Sequence, residues 1–551
     1  MSAILFHSAK PYFVLVAIIS VILGVQNTRA FAVDQVGLYD VWETQVINYS
    51  SYSNPFDFRK IELQATLTSP SGRQVNFFGF YDGDGRGGQA GNIWKLRFMP
   101  NEPGAWTYTY TWSDGTPGGS GDFPVSVTQS NNKKNHGHVH VDINNPKYLV
   151  YDDSTFHYWW GANWISAKAY GPQYIKGVIN EKHVTDETFI TFLDTLEKYK
   201  HNGLLIKIAL FPLKEDKYTW NLKWIHRAEW LVREMQARGI YAQINFFDTW
   251  SREKNSLNTN TDGKQQVFNV WELGDEGAKK NYIKTIVSRF AGFSNVYWEL
   301  GNEMEHLPNS GTDFVKQANS KYIPWIRQYD PYDLPIGLSE GCWRTADVDI
   351  GFLHQPNTLF TSPSEDTWNR PIIMNELVFG GITGPLWKDS TIRHDDNRVV
   401  YRKTFWLMFT LGGSGSSNAT WLDFNTPLNQ AVKNVMNDQM YLRYFIENLP
   451  VNINAMIPDS SFVILGPGTY KTRCKTGITY VSYFHLSANE AMQKGSVKVN
   501  LPEGNYRIEW FDPRHGTYTP KKMVRSEGGV VSIKHPEFLE DIVLLVRNDS
   551  L

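Results

Sequence analysis

The sequence predicts an α/β protein, a (β/α)8 TIM barrel flanked by N-terminal and C-terminal β-sandwich domains, and three observations support this fold class. The chain has 551 residues, more than one ordinary hydrophobic core holds, so two to four domains are expected. Both ends of the chain show short runs of alternating apolar and polar residues. Between these ends, apolar β runs alternate with segments of helical periodicity, which is typical of parallel βα units.

The N-terminal region, residues 33–145, is predicted to be a β-sandwich. Stretches such as "KIELQATLTSPSGRQVNFFGFYDGDG" and "IWKLRFMPNEPGAWTYTYTW" alternate with period two, and turn residues recur about every ten positions. The loop "DGDGRGG" has two interpretations. Its alternate carboxylates Asp82 and Asp84 can face one calcium ion, but the later acidic ligands of an EF-hand are missing, which favours a tight turn. Three histidines follow, which we expect to be exposed rather than metal-binding: His136, His138 and His140.

Residues 146–455 carry the predicted barrel. The helix in "TDETFITFLDTLEKYKHNG" begins behind a Thr185 or Asp186 cap and is followed by Gly203. Eight apolar β runs are counted, and the fifth and sixth lie close together with little room for a helix. The runs begin near residues 157, 204, 240, 295, 335, 348, 371 and 407. Eight βα units in about 290 residues is the size of a (β/α)8 barrel.

Residues 456–551 return to period-two alternation, as in "SFVILGPGTYKTRCKTGITYVSYFHLS" and "SVKVNLPEGNYRIEWFDPRHGTYTP". This pattern predicts the second β-sandwich.

The first 32 residues resemble a signal peptide. An apolar run of 14 residues, "YFVLVAIISVILGV", follows a basic start, and Ala30-Phe31-Ala32 supplies a small-x-small cleavage site. We expect cleavage after Ala32 and a secreted or periplasmic bacterial protein with no membrane segment after cleavage; an uncleaved anchor is the alternative.

Composition excludes several classes of function. A formal net charge of −2 argues against a nucleic-acid partner, which requires a basic surface. Two cysteines are too few for a disulfide scaffold or a thiolate metal cluster. The sequence contains no HExxH, glycine-rich phosphate loop or GxSxG motif, so no metal and no cofactor is expected. The oligomeric state stays open.

Two of the β runs end alike. "VYWELGNE" at strand four and "PIIMNE" at strand seven each place a glutamate, Glu303 and Glu376, directly after an asparagine. Because the carboxyl ends of barrel strands meet at one mouth, both glutamates can reach one substrate. A retaining glycosidase needs two carboxyl groups about 5–5.5 Å apart, one to protonate the leaving oxygen and one to attack the anomeric carbon. In the same stretch, Glu299 is assigned to packing or an interior ion pair, and Glu305 to a loop that supports the site.

These motifs resemble the retaining clan A of glycoside hydrolases over residues 147–450. The arrangement also resembles secreted bacterial proteins that join an N-terminal domain of unknown function, a clan A-like barrel and a C-terminal domain named for collagen binding. The resemblance implies that Glu303 is the general acid/base, that Glu376 is the nucleophile, and that Asn302 hydrogen-bonds the substrate hydroxyl beside the anomeric centre. Lys207 departs from the arginine that clan members frequently carry in strand two.

Further residues near the strand ends are candidates for substrate binding. Trp421 stands where the clan often has an aromatic platform, with a core tryptophan as the alternative. His354 can contact the nucleophile or the substrate, with a structural histidine as the alternative. Asn163, Trp164 and Asp248 follow or end other strands. Glu340, after strand five, is the main rival carboxylate.

The sequence therefore predicts an exported, metal-independent retaining O-glycoside hydrolase. Its expected partner is a carbohydrate substrate, a plant or algal poly- or oligosaccharide. The rival hypothesis is a non-catalytic carbohydrate- or matrix-binding protein on a degenerate barrel, which the presence of both glutamates disfavours. The loops Ser251–Asn269 and Thr383–Asn397 can decide between an open cleft and a closed pocket.

Overall fold

The structure, a computed structural model, describes most of the chain between residues 36 and 549. The described ranges are 36–130, 132–165, 173–175, 178–180, 185–207, 217–249, 275–355, 369–377, 398–418, 430–487 and 490–549. Several earlier predictions lie outside them: the signal peptide of residues 1–32, the loops Ser251–Asn269 and Thr383–Asn397, and the platform residue Trp421. Among the described helices, none combines the length and the hydrophobicity needed to cross a bilayer.

The N-terminal region forms two sheets. A five-stranded sheet has the order β1-β8-β7-β3-β4, and a three-stranded sheet has the order β2-β6-β5. Trp42 of one sheet stacks on Phe123 of the other with 4.3 Å between ring centroids, as expected of a sandwich. The pairs are antiparallel except for β1 with β8, which is parallel. The strands are β1 Val36–Leu38, β2 Trp42–Ile47, β3 Leu63–Thr68, β4 Gln74–Phe78, β5 Phe80–Tyr81, β6 Ile93–Phe98, β7 Gly104–Trp112 and β8 Gly119–Gln129.

The "DGDG" carboxylates bind different groups. Asp82 is fully buried and contacts the side chains of Arg289 at 2.6 Å and Lys95 at 2.9 Å. Burial raises the pKa of Asp82, but Arg289 and the other cationic neighbours outweigh it and hold that pKa well below its usual range. Asp84 accepts the backbone N–H groups of Arg86 and Gly88, both at 2.8 Å. These contacts agree with the tight-turn interpretation of the loop, because the two carboxylates contact different groups.

Three short strands connect this region to the barrel: β9 Val139–Val141, β10 Leu149–Tyr151 and β11 Phe156–His157. The prediction of three exposed histidines is wrong for His138, which is 1% exposed and whose Nε2 contacts the backbone oxygens of Ala291 and Phe293. The side chains of His136 and His140 are about one-third exposed and pair with Asp153 and Asp152. The error arose because the polar linker packs under the barrel.

The centre of the protein is a closed eight-stranded parallel barrel, as predicted. Strands five and six are joined by a 3-10 turn, Glu340–Arg344, which explains the short spacing in the sequence. Its strands are β12 Trp159–Ile165, β15 Gly203–Lys207, β16 Tyr241–Asp248, β17 Val296–Asn302, β18 Ile336–Ser339, β19 Ile350–Gln355, β20 Ile372–Leu377 and β21 Gly415–Asn418. A small hairpin, β13 Gln173–Ile175 and β14 Val178–Asn180, follows the first of them.

The barrel helices begin with α1, which Thr185 caps through the N–H of Thr188. They are α1 Asp186–Lys198, α2 Leu222–Ala237, α3 Glu276–Phe290, α4 Thr312–Gln317, α5 Ile323–Tyr329, α6 Arg398–Thr410 and α7 Gln430–Glu447. A π turn, Ala318–Tyr322, links α4 to α5, and short 3-10 turns span Met304–His306, Pro308–Gly311 and Ile453–Ala455.

The eighth strand was placed too early. The prediction put it near residue 407, but residues 398–410 form α6 and the strand begins at Gly415. Helix α6 is apolar over much of its surface because it also packs on the C-terminal region: Trp406 stacks on Tyr483 with 5.8 Å between ring centroids. Such a run cannot be told from a buried strand by periodicity alone.

The C-terminal region is a single eight-stranded sheet in which two long strands, β26 and β28, pair along most of their length. Apolar residues from both halves of β26, such as Val497 and Trp510, share one core, so the sheet folds around it. Arg402 of α6 attaches the sheet to the barrel through Asp541 at 2.8 Å and Glu540 at 2.6 Å. The strands are β22 Ile457–Pro458, β23 Val463–Leu465, β24 Thr469–Lys475, β25 Thr479–His485, β26 Gln493–Asp512, β27 Thr517–Tyr518, β28 Lys522–Phe538 and β29 Asp541–Asn548. The predicted boundaries at residues 145 and 455 stay predictions.

Candidate active site

Two glutamates and a histidine meet at the carboxyl ends of the barrel strands. Glu303 directly follows β17, while His354 and Glu376 are cross-strand partners in β19 and β20. The His354 Nδ1 lies 3.1 Å from Glu303 Oε1 and 3.7 Å from Glu376 Oε2. One oxygen of each glutamate and one ring nitrogen of the histidine all lie within 4.8 Å of one another. The structure thus brings together three residues that the sequence singled out separately.

The two carboxylates remain accessible. The Glu303 and Glu376 side chains are 13% and 11% exposed, whereas the His354 side chain is only 3% exposed. A ligand at the mouth can therefore reach both carboxylates, and the more buried histidine contacts both of them. A nearest approach within 4.8 Å is compatible with the carboxyl spacing of about 5–5.5 Å that a double-displacement site uses.

The backbone at Glu303 is unusual. Its φ is +55°, in the left-handed region that residues with a side chain adopt infrequently. The Glu303 N–H donates to Ser339 Oγ at 2.7 Å, and the same hydroxyl donates to the Gly301 carbonyl at 3.0 Å. Sequence reasoning missed Ser339. Its position as the last residue of β18 was the available signal, since every other candidate was also chosen at a strand end.

Asn302 and Asp248 face each other across β17 and β16. The Asn302 Nδ2 donates to Asp248 Oδ1 at 2.9 Å, and the two residues are 1% and 2% exposed. Both were predicted to contact the substrate, which stays a prediction. In the structure they lie against each other, at the strand end that leads into Glu303.

The other glutamates of "NVYWELGNEMEH" have different surroundings. Glu299 is fully buried within β17 and accepts a hydrogen bond from Asn245 Nδ2 at 2.9 Å, as its assignment to the interior predicted. Glu305 lies in the 3-10 turn after the strand, and both of its carboxylate oxygens are buried.

For the remaining candidates in the described ranges, the structure describes the backbone but not the side chain. Asn163 and Trp164 lie in β12, and Lys207 ends β15, but their side chains are outside the described part of the structure. Glu340, the rival carboxylate, begins the 3-10 turn after β18, and its side chain is also outside the description.

The same three residues are the group of described side chains that could hold a metal ion. Two carboxylates and one imidazole are a ligand set that suits a divalent transition metal. The geometry therefore permits a cation at the same point where a glycosidase needs its two carboxyl groups.

Two family profiles match the chain. Residues 35–113 match a domain of unknown function (DUF5060), and residues 180–365 match the cellulase family, glycosyl hydrolase family 5. The second match covers Glu303 and His354 and ends before Glu376. This part of the barrel is similar to glycosyl hydrolase family 5. The match confirms the predicted resemblance to clan A glycoside hydrolases and the predicted enzyme class, a glycosidase.

Solved structures agree with the fold of this glycosidase. A candidate glycoside hydrolase from Bacteroides vulgatus is 18% identical with a TM-score of 0.69, over 94% of this chain and all of the other. A glycoside hydrolase family 5 structure from the same organism is 12% identical with a TM-score of 0.55, over 76% of this chain and 94% of the other. A search of curated proteins found no match. The likeness of the C-terminal region of the glycosidase to collagen-binding domains stays a prediction.

Proposed function

We propose that this glycosidase is a retaining O-glycoside hydrolase in which Glu303 is the general acid/base and Glu376 the nucleophile. The observation that carries the proposal is the approach of one oxygen from each glutamate to within 4.8 Å, at the ends of strands four and seven. This approach is in keeping with the carboxyl spacing of about 5–5.5 Å in retaining enzymes, which is shorter than the spacing of about 6.5–9.5 Å in inverting ones.

In the first step, the Glu376 carboxylate attacks the anomeric carbon while Glu303 gives its proton to the leaving oxygen, so the glycosidic C–O bond breaks as the glycosyl ester forms. In the second step, Glu303 takes a proton from water, and the water oxygen replaces Glu376 at the anomeric carbon. Two inversions give net retention. The His354 contact with both carboxylates supports this assignment, because one ring nitrogen lies within reach of both groups at once.

The substrate is proposed to be a plant or algal poly- or oligosaccharide. The cellulase description of the matching family is in keeping with a plant polysaccharide. Asn163, Trp164 and Trp421 are proposed to line the sugar subsites, and Asn302 to act on the substrate hydroxyl beside the anomeric centre. Export is proposed through residues 1–32, and the mature protein secreted by its host should begin at Val33 by N-terminal mass spectrometry.

The experiment compares wild-type enzyme with Glu303→Gln and Glu376→Ala on a panel of plant and algal polysaccharides and their oligomers. Both variants should lose at least about 10³-fold in kcat, because each removes a group that bonds to the reacting atoms. Glu187→Gln is the control, since it changes an exposed carboxylate on α1, outside the barrel mouth, and it should stay within about threefold of wild type. If both pair variants hydrolyse a good substrate like the parent, the proposal is wrong and the non-catalytic binding hypothesis gains support.

A further inference from the structure

The end of strand four is held from both sides by side chains of the neighbouring strands. Asp248 ends β16 on one side, and Ser339 ends β18 on the other. Between them lies the segment Gly301–Asn302–Glu303. These contacts are made below the mouth, by groups that are themselves buried.

On the strand-five side, one hydroxyl bonds to two points of the segment. Ser339 Oγ donates to the Gly301 carbonyl and accepts the Glu303 N–H, so it bridges the residues on either side of Asn302. The bridge spans the turn at which the chain leaves the strand and enters the left-handed conformation of Glu303. Without it, the Glu303 N–H would lose its acceptor, and a residue with a side chain would favour leaving a conformation with positive φ.

On the strand-three side, a carboxylate fixes a side chain. Asp248 Oδ1 accepts from Asn302 Nδ2, and Asp248 and Asn302 are also direct register partners. The Asn302 amide therefore cannot rotate without breaking a buried hydrogen bond to a charged group, which is stronger than one between neutral groups. The backbone of Asn302 leads directly into Glu303.

We propose that Ser339 and Asp248 are positioning residues that together fix the carboxyl group of Glu303 against the leaving oxygen of the substrate. The inference rests on the proposed function, because it assigns Glu303 the role of proton donor. Neither residue touches the reacting atoms in this assignment. Because kcat/KM reports the first step alone, their effect on kcat/KM should be largest for leaving groups that need a proton.

The test uses two aryl or sugar glycosides of the accepted sugar, one with a poor leaving group that needs protonation and one with a dinitrophenolate leaving group that does not. The readout is the ratio of kcat/KM on the poor leaving group to kcat/KM on the good one, which reports the first step alone and does not depend on how much of the enzyme is folded. Ser339→Ala should lower this ratio by about tenfold or more, in the same direction as Glu303→Gln. Ser339→Thr keeps the hydroxyl and should restore the ratio to within about threefold.

Asp248→Ala should also lower the ratio, whereas Asp248→Asn keeps an oxygen acceptor for Asn302 and should retain most of it. Ser414→Ala is the matched control. Ser414 is also a buried serine near a barrel strand, but its hydroxyl donates to the Lys147 carbonyl, away from Glu303, and its removal should leave the ratio unchanged.

An unchanged ratio in Ser339→Ala and Asp248→Ala, or an equal loss on both leaving groups, would overturn the proposal and leave the two residues as structural ones. This failure is distinguishable from a failure of the proposed function. If Glu303→Gln itself leaves the ratio unchanged, Glu303 is not the proton donor and the proposed function is wrong. If Glu303→Gln lowers the ratio and the other variants do not, only the positioning role is wrong.

Discussion

The two ends of the barrel are built on opposite principles. At the lower end, the rings of Trp159 and Tyr297 pack edge to face with centroids 5.5 Å apart, and Tyr241 donates its hydroxyl proton to the Gly137 carbonyl. At the mouth, two carboxylates lie close together beside a histidine, on a backbone with a left-handed residue. The lower end is closed by packed aromatic rings, whereas the mouth holds two carboxylates side by side within reach of a ligand.

Changes at the lower end should mainly affect stability, and changes at the mouth should mainly affect catalysis. The linker strands cover the lower end, which lies at the opposite ends of the barrel strands from Glu303 and Glu376. A change below should lower the free energy of unfolding and spare kcat. A change at the mouth should lower kcat and leave the free energy of unfolding nearly unchanged.

The largest effect is expected at the lower end. Trp159→Ala removes a fully buried ring and the hydrogen bond from its Nε1 to Ser417 Oγ, and should lower the free energy of unfolding by about 3–5 kcal/mol. The kcat of the folded fraction should stay within about twofold of wild type. Chemical denaturation with parallel active-site titration measures both quantities, and a large fall in kcat per folded molecule would break the comparison.

At the mouth, His354→Ala removes the side chain that contacts both carboxylates and should lower kcat by about 10²–10³-fold, the range for removing one preorganised hydrogen bond in an active site. The melting temperature should change little. His140→Ala is the matched control, because His140 also pairs with a carboxylate but lies in the linker under the barrel. Loss of activity in both variants would show that the effect is not specific to the mouth.

The pH dependence of the free energy of unfolding should show that His138 is buried in the linker under the barrel. Burial lowers the pKa of His138 to about 4, so the folded state keeps this imidazole neutral while the unfolded chain protonates it near pH 6.5. As the pH falls from about 6.5 to 4, only the unfolded state gains this proton, and the free energy of unfolding falls by about 1.4 kcal/mol per pH unit. In His138→Gln, the slope of the free energy of unfolding against pH should be smaller by the contribution of one proton, about 1.4 kcal/mol per pH unit.

His306→Gln is the comparison for this slope, since His306 is exposed after strand four. It should leave the pH dependence of unfolding as in wild type. Equal slopes for wild type and His138→Gln in urea titrations between pH 4 and 7 would contradict the account of the buried linker.

The smallest effect is expected from metal removal. Dialysis against EDTA should leave kcat/KM unchanged, because the proposed steps use two carboxyl groups and a proton but no cation. A loss of activity that zinc or manganese restores would instead identify Glu303, His354 and Glu376 as a metal centre.

Much of the fold was predictable because its signals are local. The period-two alternation of the flanking regions and the helix behind Thr185 depend on nearby residues alone. Strand eight was misplaced because α6 is buried by the barrel and by the C-terminal sheet at once, which erases its helical stripe. His138 was misjudged for a similar reason, since a polar linker sequence does not reveal that a barrel lies above it.

The candidate site was also predictable only in part. Glu303, Glu376 and His354 were found because the ends of parallel strands converge whatever the details of packing. The pairing of Asp248 with Asn302 and the bridge made by Ser339 depend on which polar atoms lie within hydrogen-bond distance across neighbouring strands. Strand register decides those contacts, and no local sequence pattern encodes it.

The most direct test of the central claim is the stereochemistry of azide rescue. In Glu376→Ala, azide should enter the space left by the nucleophile and give a glycosyl azide whose anomeric configuration is opposite to that of the wild-type product, as judged by NMR. In Glu303→Ala, azide should instead attack the glycosyl enzyme and give a product of retained configuration. An azide product of retained configuration from Glu376→Ala would contradict the assignment of Glu376 as the nucleophile.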